Sequence, residues 1–196
     1  MELERVCGNL KARGFEAQVF QRAQDAADYL DSVLDGVSIG FGGSVTLQSL
    51  DLYDRLARHN DVHWHWTGGA EERLRAMRTD AYLTSVNALS ESGELVNIDG
   101  IGNRLAAVFF GHERVYFVVG QNKIVPTYEE AVWRARNIAA PKNAQRLGAD
   151  TPCAVRADRC YDCRSPGRIC RGMATLWEPM MGTRMEVLLI AESLGL

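Results

Sequence analysis

The sequence predicts a three-layer α/β fold around a mainly parallel sheet. Three observations carry that expectation. Short apolar strand candidates alternate with amphipathic helix candidates along nearly the whole chain, the order that builds parallel sheets. Residues 114–120, RVYFVVG, form a near-continuous apolar run of the kind buried on both faces. Residues 37–46, VSIGFGGSVT, read as strand, glycine turn and helix start. The 196 residues are 46% hydrophobic and 24% charged, which suits one ordered domain spanning 1–196 with a full core. The formal net charge of −3 gives no support for nucleic-acid binding. No apolar run approaches the roughly 20 residues of a membrane span. The N-terminus, MELERVCGNLKARGF, is charged rather than signal-like, so a reducing cytoplasm is expected.

In chain order, residues 2–13 place Leu3, Val6, Cys7 and Leu10 on one helical face, with Gly14 as the stop. Residues 15–20 alternate as a strand. Residues 23–34 form a helix with Ala26, Ala27, Leu30, Val33 and Leu34 inward and Gly36 beyond it. A strand at 37–41 leads through the glycines into a helix over 45–58. Residues 61–67, DVHWHWT, alternate as a strand with His63 and His65 on one face and Trp64 and Trp66 on the other. A helix over 71–78 points Leu74 and Met77 inward, and 80–85 is another strand. A turn at Ser92-Gly93 precedes a strand at 94–98. A polar loop follows, then an apolar helix over 105–110. After the 114–120 strand, residues 127–147 form a long helix. It opens with a Thr127/Glu130 capping box and is kinked near Ala140 by Pro141. Residues 185–192 close the sheet.

Two places carry candidate chemistry. The first is Gly42, Gly43, Ser44 and Thr46 after the second strand. Glycines admit close backbone approach, and hydroxyls and free amides can hold an anion; a tight turn with a serine cap is the competing account. Asn87, Asp99, Asn103, Arg104 and Lys123 concentrate amides and charge beside apolar elements. An arginine at a loop–helix junction suits a carboxylate or phosphate, while Asn and Asp also cap loops. Lys123 follows the end of the central strand, where ligands bind in open α/β sheets.

The second is the loop 152–171. It holds four of the five cysteines, Cys153, Cys160, Cys163 and Cys170, spaced C-x6-C-x2-C-x6-C. Four thiolates in one short loop can surround an iron–sulfur cluster or a zinc ion, leaving a charge of about −2. Arg156, Arg159, Arg164, Arg168 and Arg171 would offset that charge and donate to sulfur. Pro152, Pro166 and Gly167 are expected to keep the segment irregular. The spacing leaves iron–sulfur, zinc and unmetallated thiols open. Disulfides would require an oxidising compartment. Cys7 reads as a packing residue.

The blocks GFGGSVTLQSL, YLTSVNALSESGELVNIDGIGNRLAAVFFG, VGQNKIVPTYEEAVWRARNIAAPKNAQRL and TPC…RCYDCRSPGRIC resemble the lactate-utilisation (LUD) domain family. The likeness covers nearly the whole chain and matches a short type that stands alone. It implies a fold similar to the ribose-5-phosphate isomerase and CoA-transferase superfamily. It also implies a role near oxidation of lactate or a similar small organic acid, beside iron–sulfur oxidoreductase subunits. Gly42, Gly43, Ser44 and Thr46 map to a ligand loop. Asn87, Asp99, Gly102, Asn103, Arg104 and Lys123 map to a central pocket. Cys153, Cys160, Cys163 and Cys170 map to the metal motif, expected to hold a 4Fe-4S cluster or, alternatively, zinc. The first functional expectation is electron transfer, with a carboxylate or phosphate-bearing small molecule in the pocket. Another is a non-redox isomerase- or transferase-like enzyme with a structural zinc, Asp99 or Glu94 as base and Lys123 steadying negative charge. A third is an assembly or regulatory subunit with a vestigial pocket.

Overall fold

The computed structural model describes residues 3–196, so Glu2 of the expected first helix lies outside it. Among the described residues the strands are β1 (Glu16–Phe20), β2 (Ser38–Phe41), β3 (Asp61–Trp64), β4 (Ala81–Thr84), β5 (Ala88–Ser90), β6 (Leu95–Asp99), β7 (Arg114–Gly120), β8 (Ile124–Val125), β9 (Gly172–Leu176) and β10 (Arg184–Ile190). Six of them form a parallel sheet in the order β1-β10-β7-β4-β2-β3. The other four form a smaller sheet, β8-β5-β6-β9, in which β6 runs antiparallel to both β5 and β9.

Alternation along the central strands explains the three layers. On β7, Val115, Phe117 and Val119 feed one core together with Val6 and Leu10 of the helix Leu3–Ala12. Tyr116 and Val118 feed a second core with Leu30 of the helix Ala23–Val33 and the adjoining Leu34. β10 does the same, with Val187 and Leu189 on one side and Leu188 and Ile190 on the other. Both strands are therefore buried on both faces, which is why 114–120 reads as an unbroken apolar run.

Several elements differ from the sequence expectation. The helix expected over 45–58 is two short helices, Val45–Gln48 and Leu52–Leu56, because Asp51 between them takes a left-handed φ of 50°. The strand expected over 61–67 stops at Trp64, and His65–Gly68 is a helical turn. His63 and His65 consequently do not share a strand face. His63 is held by Glu72 at 2.6 Å and Asp61 at 3.2 Å. Leu74, expected inward, is 72% exposed. The strands β5, β8 and β9 had no sequence expectation. The cysteine loop is not wholly irregular: Pro152–Arg156 is a short helix with proline in its first turn, where its missing N–H costs nothing.

The long helix has the expected capping box, Thr127 with Glu130. Just ahead of Pro141 it passes through a π-helical turn, Ala135–Ala139, and then continues as Ala140–Arg146. Pro141 cannot donate to an α-helical carbonyl, and its ring crowds the preceding turn. The wider π turn accommodates both defects where a simple kink was expected. Among the described residues no helix is long and apolar enough to cross a membrane.

Candidate functional site

Because β2, β4 and β7 run parallel, their carboxyl ends lie along one edge of the sheet. Gly42, Gly43 and Ser44 follow β2, Ser85 to Asn87 follow β4, and the 3-10 turn Gln121–Lys123 follows β7. This is the edge where open α/β sheets bind ligands. Ser44 Oγ accepts from the Leu47 amide at 3.2 Å, so this serine caps the turn. Close packing accounts for the glycines. A Cβ on Gly42 would lie 2.8 Å from Thr84 Oγ1, and one on Gly43 would lie 3.2 Å from Trp66 Nε1 and 3.3 Å from the His65 ring.

Lys123 is buried at 4% exposure. Its ammonium donates to Thr46 Oγ1 at 2.7 Å and to Ser85 Oγ at 2.9 Å. Ser85 Oγ donates onward to the Val118 carbonyl at 2.6 Å, which leaves it to accept from the lysine, and Thr46 Oγ1 has a longer contact to the Leu194 carbonyl at 3.4 Å. Among the described residues the lysine has no carboxylate partner. Burial, reinforced by Arg134 and Arg104, pushes its pKa down to about 7.

Arg104 opens the helix Asn103–Phe109. Its guanidinium donates to the Ile98 carbonyl at 2.6 Å and to Asn87 Oδ1 at 3.3 Å, both neutral acceptors. Asn87 Oδ1 also accepts from the Ile98 amide at 2.7 Å. Asp99 serves the main chain. Its carboxylate accepts from the amides of Gly100 at 2.7 Å, Ile101 at 3.1 Å and Arg104 at 3.1 Å. That arrangement folds the glycine-rich loop and leaves Asp99 poorly placed to act as a free base. Glu94, the other carboxylate considered for that role, is engaged by Arg13, Ser90 and Ser92 and does not line the cleft.

These residues border a cleft of two joined chambers. The inner one, about 50 Å³, is lined by Ser44, Thr46, Ser85, Asn87, Arg104 and Lys123. The outer one, about 330 Å³, adds His65, Trp66, Arg73, Asp99 and Asn103. Gly43, Asn87, Arg104, Asn143 and Arg146 border both. Of the residues expected from the sequence, Gly43, Ser44, Thr46, Asn87, Arg104 and Lys123 line the inner chamber, while Gly42 and Gly102 line neither chamber. Ser85, Arg73, Asn143 and Arg146 were not expected, and Trp66 was expected only on a strand face. His65 was noticed only as half of a His-x-His pair. Ser85 alone had a usable signal, its place at the end of a predicted strand.

The four cysteines line a separate small cavity of about 10 Å³. Cys160 Sγ accepts from the Asp162 amide at 3.3 Å and from Arg136 at 3.9 Å. Thr151 Oγ1 lies 3.3 Å from Cys153 Sγ. The Ser165 backbone and side chain, with Arg168 nearby, lower the Cys163 thiol below its ordinary pKa. N–H and hydroxyl groups placed around sulfur fit thiolates. Among the described residues, however, no three His, Cys, Asp or Glu side chains converge in an arrangement that would hold a metal ion. A cavity of this size admits about one water-sized guest. Ala140 and Ile169 border both this cavity and the outer chamber, so the two sites share a wall.

Among solved structures, the chain is similar to a DUF162 family protein from Deinococcus radiodurans, with TM-score 0.57 and 15% identity over 96% of each chain. It also matches ribose 5-phosphate isomerase A from Neisseria gonorrhoeae, with TM-score 0.36 and 12% identity over 54% of each chain. A third match is ribose 5-phosphate isomerase from Plasmodium falciparum, with TM-score 0.33 and 14% identity over 53% of this chain and 52% of that one. No curated protein matches it. The LUD domain model matches residues 3–190, and the chain belongs to the LUD domain family.

Proposed function

We propose that this protein binds a small organic anion, lactate or a similar hydroxy acid, with its carboxylate reaching the inner chamber, and takes part in lactate utilisation. One observation carries the reading. Lys123 and Arg104 face the same small chamber, and their hydrogen bonds go only to neutral oxygens. Asp99 acts on Arg104 only at a distance, through its charge, and among the described residues no carboxylate side chain bonds either cation directly, so a ligand carboxylate could take that place. Arg104 offers a planar fork for that carboxylate. The third position on the Lys123 nitrogen remains for the substrate hydroxyl or carbonyl oxygen. In its neutral form Lys123 can accept the hydroxyl proton, and in its charged form it can steady the oxygen.

Cys153, Cys160, Cys163 and Cys170 share one cavity behind the shared wall, and to hold a metal centre the loop would have to draw them closer together than they stand. A 4Fe-4S cluster held there would supply one-electron chemistry and connect the protein to iron–sulfur oxidoreductase subunits. The second reading of the same four thiols is a single zinc ion that clips the loop to the long helix. Metal and acid-labile sulfide analysis of protein purified without oxygen separates the two. Iron with matching sulfide supports the cluster, and zinc without sulfide supports the clip.

Arg104→Gln tests the anion site. It keeps a donor near Asn87 and removes the charge. Lactate affinity measured by titration calorimetry is expected to fall at least tenfold while the melting temperature stays within a few degrees. Equal affinity in both proteins would remove lactate from this chamber.

A further inference from the structure

The outer chamber contains polar groups that a three-carbon acid with its carboxylate at the inner chamber leaves unanswered. Arg73 Nε and His65 Nδ1 are both shielded from solvent without a hydrogen-bond partner, and both residues line this chamber. Arg146 lies with its guanidinium 4.9 Å from the centre of the Trp66 ring and bonds only the neutral Asn143 Oδ1, at 3.0 and 2.8 Å. Among the described lining residues the only side-chain carboxylate is Asp99, and three backbone amides already hold it. Burial and the neighbouring Arg73 lower the His65 pKa, against a smaller upward pull from Asp99. At neutral pH the imidazole is therefore uncharged and can either donate or accept at Nδ1. The outer chamber measures about 330 Å³ against about 50 Å³ for the inner one, so a ligand whose head reaches Arg104 and Lys123 has most of its room on the outer side.

Taken with the inner-chamber reading above, on which this rests, the geometry points to a ligand with two anionic heads. We infer that Arg73, Arg146 and His65 form a second anion subsite that receives a distal carboxylate or phosphate of a longer hydroxy acid. One head sits against Arg104 and Lys123. The second spans the chamber to the Arg73 fork and the Arg146 face, with Trp66 flanking the connecting carbons. Arg73 borders only the outer chamber, so it sorts ligands by the presence of the distal head.

Titration calorimetry on the full chain with L-lactate, 2-hydroxyglutarate and 3-phosphoglycerate tests this. At least one two-headed probe is expected to bind ten times or more tighter than lactate, and comparison of the two shows whether the distal head is carboxylate or phosphate. Arg73→Gln is expected to collapse that preference to near parity, with circular dichroism verifying the fold. A preference that survives Arg73→Gln overturns the subsite. Equal wild-type affinity for all three probes also overturns it; if Arg104→Gln still abolishes lactate binding, the inner-chamber reading stands. Failure of every probe to bind the wild type overturns both.

Discussion

Lys123 gathers the chemistry of the site into one nitrogen. An ordinary lysine titrates near 10.5, and this one is pushed down to about 7 by burial and two neighbouring arginines. Between those values the unfolded chain holds a proton that the folded chain has released. Stability therefore rises with pH across this window, by about 1.4 kcal/mol per unit at most. Below about pH 7 both states are protonated and the full penalty of burying the charge is present. Denaturant titrations from pH 7 to 9 are expected to show that rise, and Lys123→Met to flatten it. An anion bound beside the amine favours the charged form. Lactate binding at pH 8 is therefore expected to take up protons, seen as a dependence of the calorimetric heat on buffer ionisation enthalpy. A buffer-independent heat would separate Lys123 from the ligand.

At the scale of elements, the cysteine loop feeds directly into β9, an edge strand whose Gly172 pairs with Asp99 of β6. The Arg171 amide donates to the Asp99 carbonyl at 2.9 Å, so the loop also steadies the turn that carries Arg104. Replacing all four loop cysteines with serine is expected to speed amide exchange in β9 and around residues 99–101 while β7 and β10 stay protected. Unchanged exchange in β9 would make the loop independent of the sheet. How visible each element was in the sequence follows from its surroundings. β7 could be read because both its faces are buried, and Gly42 and Gly43 because a side chain would be overcrowded by Thr84 at the first and tight against Trp66 and His65 at the second. β8 has two residues, too few for a period. β9 begins with exposed Gly172 and Met173, so its pattern does not look like a strand. Arg146 had no signal, because the direction it faces depends on a π turn that local propensity does not encode.

Across the whole molecule, the parallel sheet separates two cores, and its central side chains hold both layers in place. Phe117 is fully buried in one of them. Phe117→Ala is expected to cost about 3–5 kcal/mol by opening a cavity beneath the site edge. Leu74→Ala, at a side chain 72% exposed, is expected to stay within about 0.5 kcal/mol. Urea midpoints of the two variants measure the contrast. Similar midpoints would mean that the sheet does not organise the core as described. The candidate site draws on the same frame, since Ser44, Thr46, Ser85 and Lys123 follow three adjacent parallel strands, while Arg104 reaches it from the helix after β6.

The long helix with its π turn touches both the cysteine loop and the cleft. Arg136 and Asn137, within the turn, hold the cysteine loop at Asp162 and at the Cys160 amide. Asn143 and Arg146, beyond it, border the cleft. A π turn carries one residue more than the α register, and its removal would rotate everything downstream by about 100°. The contacts to the cysteine loop and the residues that border the cleft therefore share one helix, and the π turn between them sets the register in which both are held.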